Sequence, residues 1–395
     1  MSETPTMLGE RVRDLRKRRG LSQQALARAA RLSHSTVRKL EQGTGGETRM
    51  ETVRALALAL RVPTTYLLRR DAEVASLPTE ERWEPVRAAL LRAPAAEYIE
   101  GDAPTPVGVK AALQAAEPLF SEDRFADLAV VLPGLLRDSE ALDESDPRSR
   151  AVRCRLLQLT GWLLTQTRQY EAAERALAQA TAMSADRLDG SASVNTTAWL
   201  LMRTGQLTKA RELAARWGDD IEPRLSRATP DELSSWGWMM LRVSAASVRD
   251  AQPEQAAHAM RMACSAAAAL GREHAPRGDF LRSFGPVTVA LKRAENAAIA
   301  DKPDVVLSLA RKIPSGGLRA TSNNRNRHLL DVADAHARMR QYGQAMEVLY
   351  GIQDVSPEWL PQQRYAQDIA TRVIRKRRTL TPDMRRLADA IGVPL

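Results

Sequence analysis

A chain of 395 residues, 44% apolar but only 4% aromatic, with a net charge of +10, has room for a small domain and a longer body whose core is Leu and Ala. No run approaches the roughly 18 apolar residues of a membrane span, and the opening MSETPTMLGE lacks a signal-peptide pattern, so a membrane protein is not expected. Two distant cysteines, Cys154 and Cys264, exclude a disulfide framework.

The charge is uneven. Residues 1–70 hold 15 basic against 6 acidic side chains, a balance of +9, which leaves +1 for the rest of the chain. Concentrated basic charge is the footprint of a module that binds a polyanion. Within it, residues 8–19 place Leu8, Val12 and Leu15 at helical spacing, and Gly20 stops the helix. Ser22 is an N-cap for a second helix with an apolar face of Ala25, Leu26 and Ala29. Ser33 caps a third, HSTVRKLEQ, in which Val37 and Leu40 are the buried pair and Gly43 the stop. Thr48 to Glu51 reads as a capping box opening a fourth helix that ends at Leu60. Pro63 starts a fifth.

With Val37 and Leu40 inward, His34, Ser35, Thr36 and Arg38 are expected to face out at a helix start, where short polar side chains can reach base edges in a major groove. The preceding helix would present its own start to a phosphate. Residues 8–69 resemble the Cro/phage-repressor (XRE) type of helix-turn-helix domain. Arg16, Leu21, Ser22, Gln23, Leu26, Ala27, Ser33, Val37, Leu40, Glu41, Gly43 and the stretch 57–60 carry the likeness. The resemblance implies phosphate-contacting and base-supporting roles for Ser22 and Gln23, and base reading by His34, Ser35, Thr36 and Arg38 with Lys39 beside them. It also implies a structural pairing of Arg16 with Glu41. Arg18 and Arg19 are candidates for phosphate contact, and the glycine-rich loop 43–47 departs from the family pattern.

Residues 71–106 read as a connector with one helix at 79–92 and a Pro-, Gly- and acid-rich linker. From 107 to the end, helix-break-helix pieces recur. Their anchors Phe125, Tyr170, Leu207, Pro253, Pro303 and Tyr342 are spaced by 45, 37, 46, 50 and 39 residues. Three residues after each stands Leu128, Ala173, Ala210, Ala256, Val306 or Ala345, suited to close helix packing. That is the pattern of a helix-pair array in which each unit buries its apolar side against its neighbours.

The units resemble degenerate tetratricopeptide repeats. The expected fold is therefore all-α: a five-helix head at 1–70, a connector at 71–106, and an α-solenoid over 107–395 that senses a signal and dimerises. A head and body of this kind resemble helix-turn-helix regulators of actinobacteria and the peptide-responsive, quorum-sensing-like regulators of Gram-positive bacteria. On the first helix of successive pairs, Asn195 and Trp199 share a face, as do Trp238 and Arg242, with Asn324 and Arg327 on another beside Asn323. Asn can pin a peptide backbone and Arg a carboxylate, so these are the ligand candidates; a small apolar signal among Trp199, Trp236 and Trp238 competes with a peptide.

No catalytic constellation stands out. His258, His274, His328 and His336 lack metal spacing, and the basic run 372–378 reads as a solvated helix end. No enzyme activity, cofactor or metal is expected. The reading is a cytoplasmic transcription regulator, nucleoid-associated when bound to a double-stranded DNA operator, homodimeric through its repeats and responsive to a short peptide or small molecule. The alternative is a protein-interaction scaffold with a weak or accessory DNA-binding head.

Overall fold

The computed structural model describes residues 4–44, 47–68, 79–91, 103–313, 322–377 and 379–394. Expectations placed on Gly45 and Gly46, on the linker at 92–102 and on Arg378 lie outside them. The fold is all-α as expected: among the described residues β structure is confined to isolated bridge positions, the antiparallel bridge between His274 and Phe284 and one at Glu47. The chain forms two compact units, Met1–Phe120 with Arg124–Leu163, and Ser121–Asp123 with Leu164–Leu395.

The first unit begins with α1 (Thr4–Arg18), α2 (Gln23–Ala30), α3 (His34–Gln42), α4 (Met50–Ala59) and α5 (Thr64–Leu68). Ser22 accepts from the Ala25 N–H and Ser33 from the Thr36 N–H, so both predicted caps form. Gly43 ends α3 in the left-handed region at φ 65°. Val12, Leu26, Val37, Leu40, Val53, Leu56, Leu60 and Leu67 close one core. Gly9 lets α1 cross α3, since a Cβ there would lie 2.1 Å from the Leu40 carbonyl oxygen.

Two local readings need correction. Ala29 is exposed, and Ala27 and Ala30 turn inward with Leu26 instead. The predicted capping box at Thr48 does not form: α4 is capped at Arg49, which makes no side-chain cap bond. The open amide of Met50 donates instead to Asp138 Oδ2 at 2.5 Å, from a helix 88 residues away.

That helix is α8 (Phe125–Glu140), which follows α6 (Thr79–Leu91) and α7 (Pro106–Ser121) and precedes α9 (Pro147–Gln166). Gly134 of α8 sits where a Cβ would meet the Met50 sulfur at 2.6 Å, and Arg137 pairs with Glu47. Arg49 donates to the Ala103 carbonyl at 2.8 Å. The helix-turn-helix head is thus clamped to the helices that follow it, within one compact unit.

The second unit contains α10 (Tyr170–Met183), α11 (Arg187–Arg203), α12 (Leu207–Asp220), α13 (Pro230–Arg249), α14 (Pro253–Leu270), α15 (Pro286–Ile299), α16 (Pro303–Ala310), α17 (Ser322–Arg338), α18 (Tyr342–Val355), α19 (Arg364–Ile374) and α20 (Pro382–Ile391). Each of the six sequence anchors is the first residue of a helix, α8, α10, α12, α14, α16 or α18. Each partner three residues on is buried, at 5% exposure or less.

The breaks before these helices share one geometry. Two residues before the anchor the backbone is left-handed, at Asp123, Arg168, Gly205, Ala251, Asp301 and Arg340. The residue between, Gln169 for example, sits near φ −87° and ψ 63° and donates back to the preceding helix, at the Leu164 carbonyl. Only one of the six left-handed positions is glycine, although that backbone costs other residues on the order of 1 kcal/mol. The repeat is therefore carried by backbone shape and by one small buried position more than by shared residue types.

Arg372, read as part of a solvated helix end, is paired with Asp334 of α17 at 2.5 Å. Its charge ties α19 to α17.

Candidate nucleic-acid interface and ligand cavity

In the head, α3 is held by a buried carboxylate. Arg16 Nε donates to Glu41 Oε1 at 2.6 Å and Arg16 Nη2 to Oε2 at 2.9 Å, while Arg16 Nη1 reaches the Leu21 carbonyl at 2.8 Å. Gln23 Nε2 adds a third donor to Glu41 Oε2 at 2.9 Å. The Glu41 side chain is only 2% exposed. Burial pushes its carboxyl up, but the hydrogen bonds from Arg16 and Gln23, with the charges of Arg16 and Arg13, more than offset this and hold it below its ordinary value. The Arg16–Glu41 tie implied by the family resemblance is present. Gln23, expected to support base reading, has its amide committed to Glu41, which fixes the start of α2 against α3.

The first turn of α3 exposes His34, Ser35 and Arg38. Thr36 is a correction. It is 8% exposed, and its hydroxyl lies 2.8 Å from Ser33 Oγ. Residues 33, 36, 37 and 40 fall at i, i+3, i+4 and i+7, one stripe of a helix, so Thr36 shares the inward side with Val37 and Leu40. Ser35 Oγ also lies 2.8 Å from Ser33 Oγ but remains exposed. Ser22 is exposed with its hydroxyl spent on the α2 cap, and Lys39 is half-buried. Arg18 and Arg19 are exposed at the end of α1, where Arg19 Nη2 also reaches the Arg61 carbonyl at 3.4 Å.

The second unit holds a cavity of about 150 Å³. Its walls come from α11, α13, α15 and α17, the first helices of successive pairs, together with Gln363. Of the six ligand candidates, Trp199, Arg242 and Arg327 border it. Asn195 is buried behind, accepting from Arg242 Nε at 2.6 Å. Trp238, at 2% exposure, is core: its indole N–H donates to the Ser283 carbonyl at 3.0 Å, and the Arg242 guanidinium lies 5.1 Å over its ring. Trp236 is buried as well, so neither tryptophan lines an apolar pocket with Trp199. Asn323 borders the cavity where Asn324 was expected.

Sequence reasoning missed Arg203, Arg249, Lys292 and Glu295. A signal for the last two was present: Lys292 and Glu295 stand on the buried stripe of α15 with Thr288, Val289 and Leu291, where charge is expensive unless paired. Lys292 Nζ meets Glu295 Oε2 at 2.9 Å and Arg249 Nη2 meets Oε1 at 2.5 Å. Burial raises the Glu295 carboxyl, but the charges of Lys292, Arg249 and Arg327 overcome it and hold the group well below its ordinary value. Burial pushes Arg242 down to about 10.

Among the described residues no group of three or more His, Cys, Asp or Glu could hold a metal ion, and no helix is long and apolar enough to cross a membrane.

Residues 7–68 match the family described as helix-turn-helix domain, so the head carries that domain. No curated protein matches the chain. Among solved structures, the chain is similar to PlcR of Bacillus thuringiensis, solved in complex with the peptide PapR7 and DNA, at 11% identity and a TM-score of 0.33, over 85% of this chain and 98% of that one. It is also similar to the apo form of the competence regulator ComR from Streptococcus vestibularis, at 11% identity and a TM-score of 0.30, over 83% and 99%.

Proposed function

We propose that the protein is a cytoplasmic, sequence-specific DNA-binding transcription regulator, with the helix-turn-helix head on an operator and the repeat body as its dimerisation and signal-sensing part. The observation that carries this is the first turn of α3. His34, Ser35 and Arg38 stand exposed on a helix whose other side is locked by Glu41, in a segment that holds nearly all the net positive charge. Ser35 and Arg38 read base edges, His34 assists, and Arg18 and Arg19 contact phosphates. Thr36 shapes the cap and takes no part in reading. One head spans only a few base pairs, so two copies are needed for a half-site pair.

Fluorescence anisotropy of the full chain on DNA from upstream of its own gene, against random duplex over a salt series, tests this reading. Each useful base contact contributes about 1–3 kcal/mol of discrimination. Ser35→Ala with Arg38→Ala should flatten the difference between the two duplexes, whereas Arg18→Ala with Arg19→Ala should weaken both and reduce the salt slope. Equal wild-type affinity for both duplexes would sink specific reading. A monomer by light scattering at micromolar concentration, with and without DNA, would sink the dimer.

A further inference from the structure

The cavity of the second unit gathers more positive charge than the protein itself balances. Five cations, Arg203, Arg242, Arg249, Lys292 and Arg327, border it, against one wall carboxylate, Glu295. Both Glu295 oxygens are already taken, by Lys292 and Arg249. Among the described residues Arg203 and Arg242 have no carboxylate partner. Arg203 stacks on Trp199 at 5.6 Å, and Arg242 is held by Asn195 and the Trp238 ring. Lys292 Nζ lies 5.9 Å from the centre of that same ring, so two cations approach one indole. Arg327 lies 4.5 Å over the Tyr365 ring and 3.8 Å from Asp331, beyond hydrogen-bond reach; burial pushes the Asp331 carboxyl up, while, against its own burial, the charges of Asp331, Glu295 and Asp334 hold the Arg327 guanidinium up.

Aligned cations at the foot of a cavity raise one another's energy, and burial adds to it. Burial, with the charges of Arg242 and Arg249, pushes the Lys292 ammonium down despite Glu295. Asn195 and Trp238 fix the Arg242 guanidinium through Nε and through its face, and neither takes up its terminal nitrogens. Among the described residues those nitrogens make no hydrogen bond. This is how a preorganised anion receptor is built: the donor is oriented by second contacts and its fork is left for an incoming group.

Size narrows the guest. A cavity of about 150 Å³ holds roughly five waters at about 30 Å³ each, well under the roughly 300–1,000 Å³ of a pocket for a drug-sized ligand. It fits one compact charged group.

We propose that this cavity is a binding site for a compact polyanion, a group with two or more negative charges on oxygen such as a phosphate ester or a small polycarboxylate, gripped by Arg242 with Arg203 and Arg327. The assignment names the signal class for the sensing role proposed above, but the binding itself does not depend on that role.

The test is isothermal calorimetry and thermal melting of the full chain at fixed ionic strength, with inorganic phosphate, pyrophosphate and citrate as probes and chloride as the control. Saturable binding of at least one probe, with a rise in melting temperature that chloride does not give, is expected. Pyrophosphate alone would assign a phosphate ester, and citrate alone a polycarboxylate. Arg242→Gln should weaken binding at least tenfold. Arg203→Gln, at a half-buried residue with no carboxylate to orphan, should weaken it severalfold while folding normally, and Arg261→Gln on the exposed side of α14 should leave it unchanged. Absence of saturable binding to all three probes, or equal binding by the Arg203 and Arg261 variants, overturns the site whatever the protein does on DNA. A probe that binds through Arg203 and Arg242 yet leaves operator affinity unaltered upholds the site and removes the sensing role.

Discussion

Replacing Glu41 with Ala should unlock α3 from α1 and α2. The carboxylate accepts three hydrogen bonds, two from Arg16 and one from Gln23, at 2.6–2.9 Å. Its loss strands the Arg16 guanidinium at 12% side-chain exposure and removes the acceptor of Gln23. Truncating one partner of a buried ion pair costs about 3–5 kcal/mol, because the remaining charge is left desolvated. At about 1.4 kcal/mol per tenfold, amide hydrogens of α1–α3 that exchange by opening the head should exchange at least a hundredfold faster in Glu41→Ala, with α10–α18 unaffected. The Glu41 carboxyl is held below its ordinary value, so its stabilisation is present above about pH 4.5 and is lost as pH falls through the lower folded-state value. The variant should lack that acid-sensitive component. A shape-matched apolar pair, Arg16→Met with Glu41→Leu, should recover most of the loss, since neither buried charge remains. Acceleration below about fivefold in Glu41→Ala would show that the head is held by its Leu and Val core alone and that the ion pair is incidental.

Asp138→Ala should release the α4 amide it caps and loosen the head from α8, at a cost of about 1–2 kcal/mol, with Asp138→Asn losing less. Faster hydrogen exchange at the start of α4 is the check, and unchanged exchange there would refute the clamp. Burial, aided by the charge of Lys292 and opposed by Glu295, lowers the His328 imidazole to about 4. Its contribution to stability is therefore complete above the unfolded value near pH 6.5 and is lost as pH falls towards 4, amounting to about 2 kcal/mol by pH 5. Urea denaturation of wild type and His328→Asn at pH 7.5 and pH 5 should show that difference shrinking in acid. The opposite trend of Asp331 is common to both proteins and drops out; a pH-independent difference would mean that His328 titrates in the folded state as it does in the unfolded chain.

Local signals were legible wherever a residue acts through its own neighbours. The caps at Ser22 and Ser33, the stop at Gly43 and the six helix starts from Phe125 to Tyr342 follow from short-range hydrogen bonding and from the steric demand for a small or apolar residue one turn into each helix. The concentration of charge in the first 70 residues is likewise a property of composition. Partners far apart in the chain were not legible. Asp138 supplies the cap that Thr48 was expected to give, because the N–H groups at a helix start accept any correctly placed oxygen and sequence separation does not enter. Periodicity could have placed Thr36 with Val37 and Leu40, but its polarity suggested exposure, and Ser33 satisfies its hydroxyl inside. The cation-lined cavity is the furthest from the sequence. Arg242 and Arg327 were candidates from the sequence and Lys292 carried a signal on the buried stripe of α15, but Arg203 did not stand out, and the four stand on separate helices, so only the packing of successive helix pairs brings their charges close enough to interact in a low-dielectric interior.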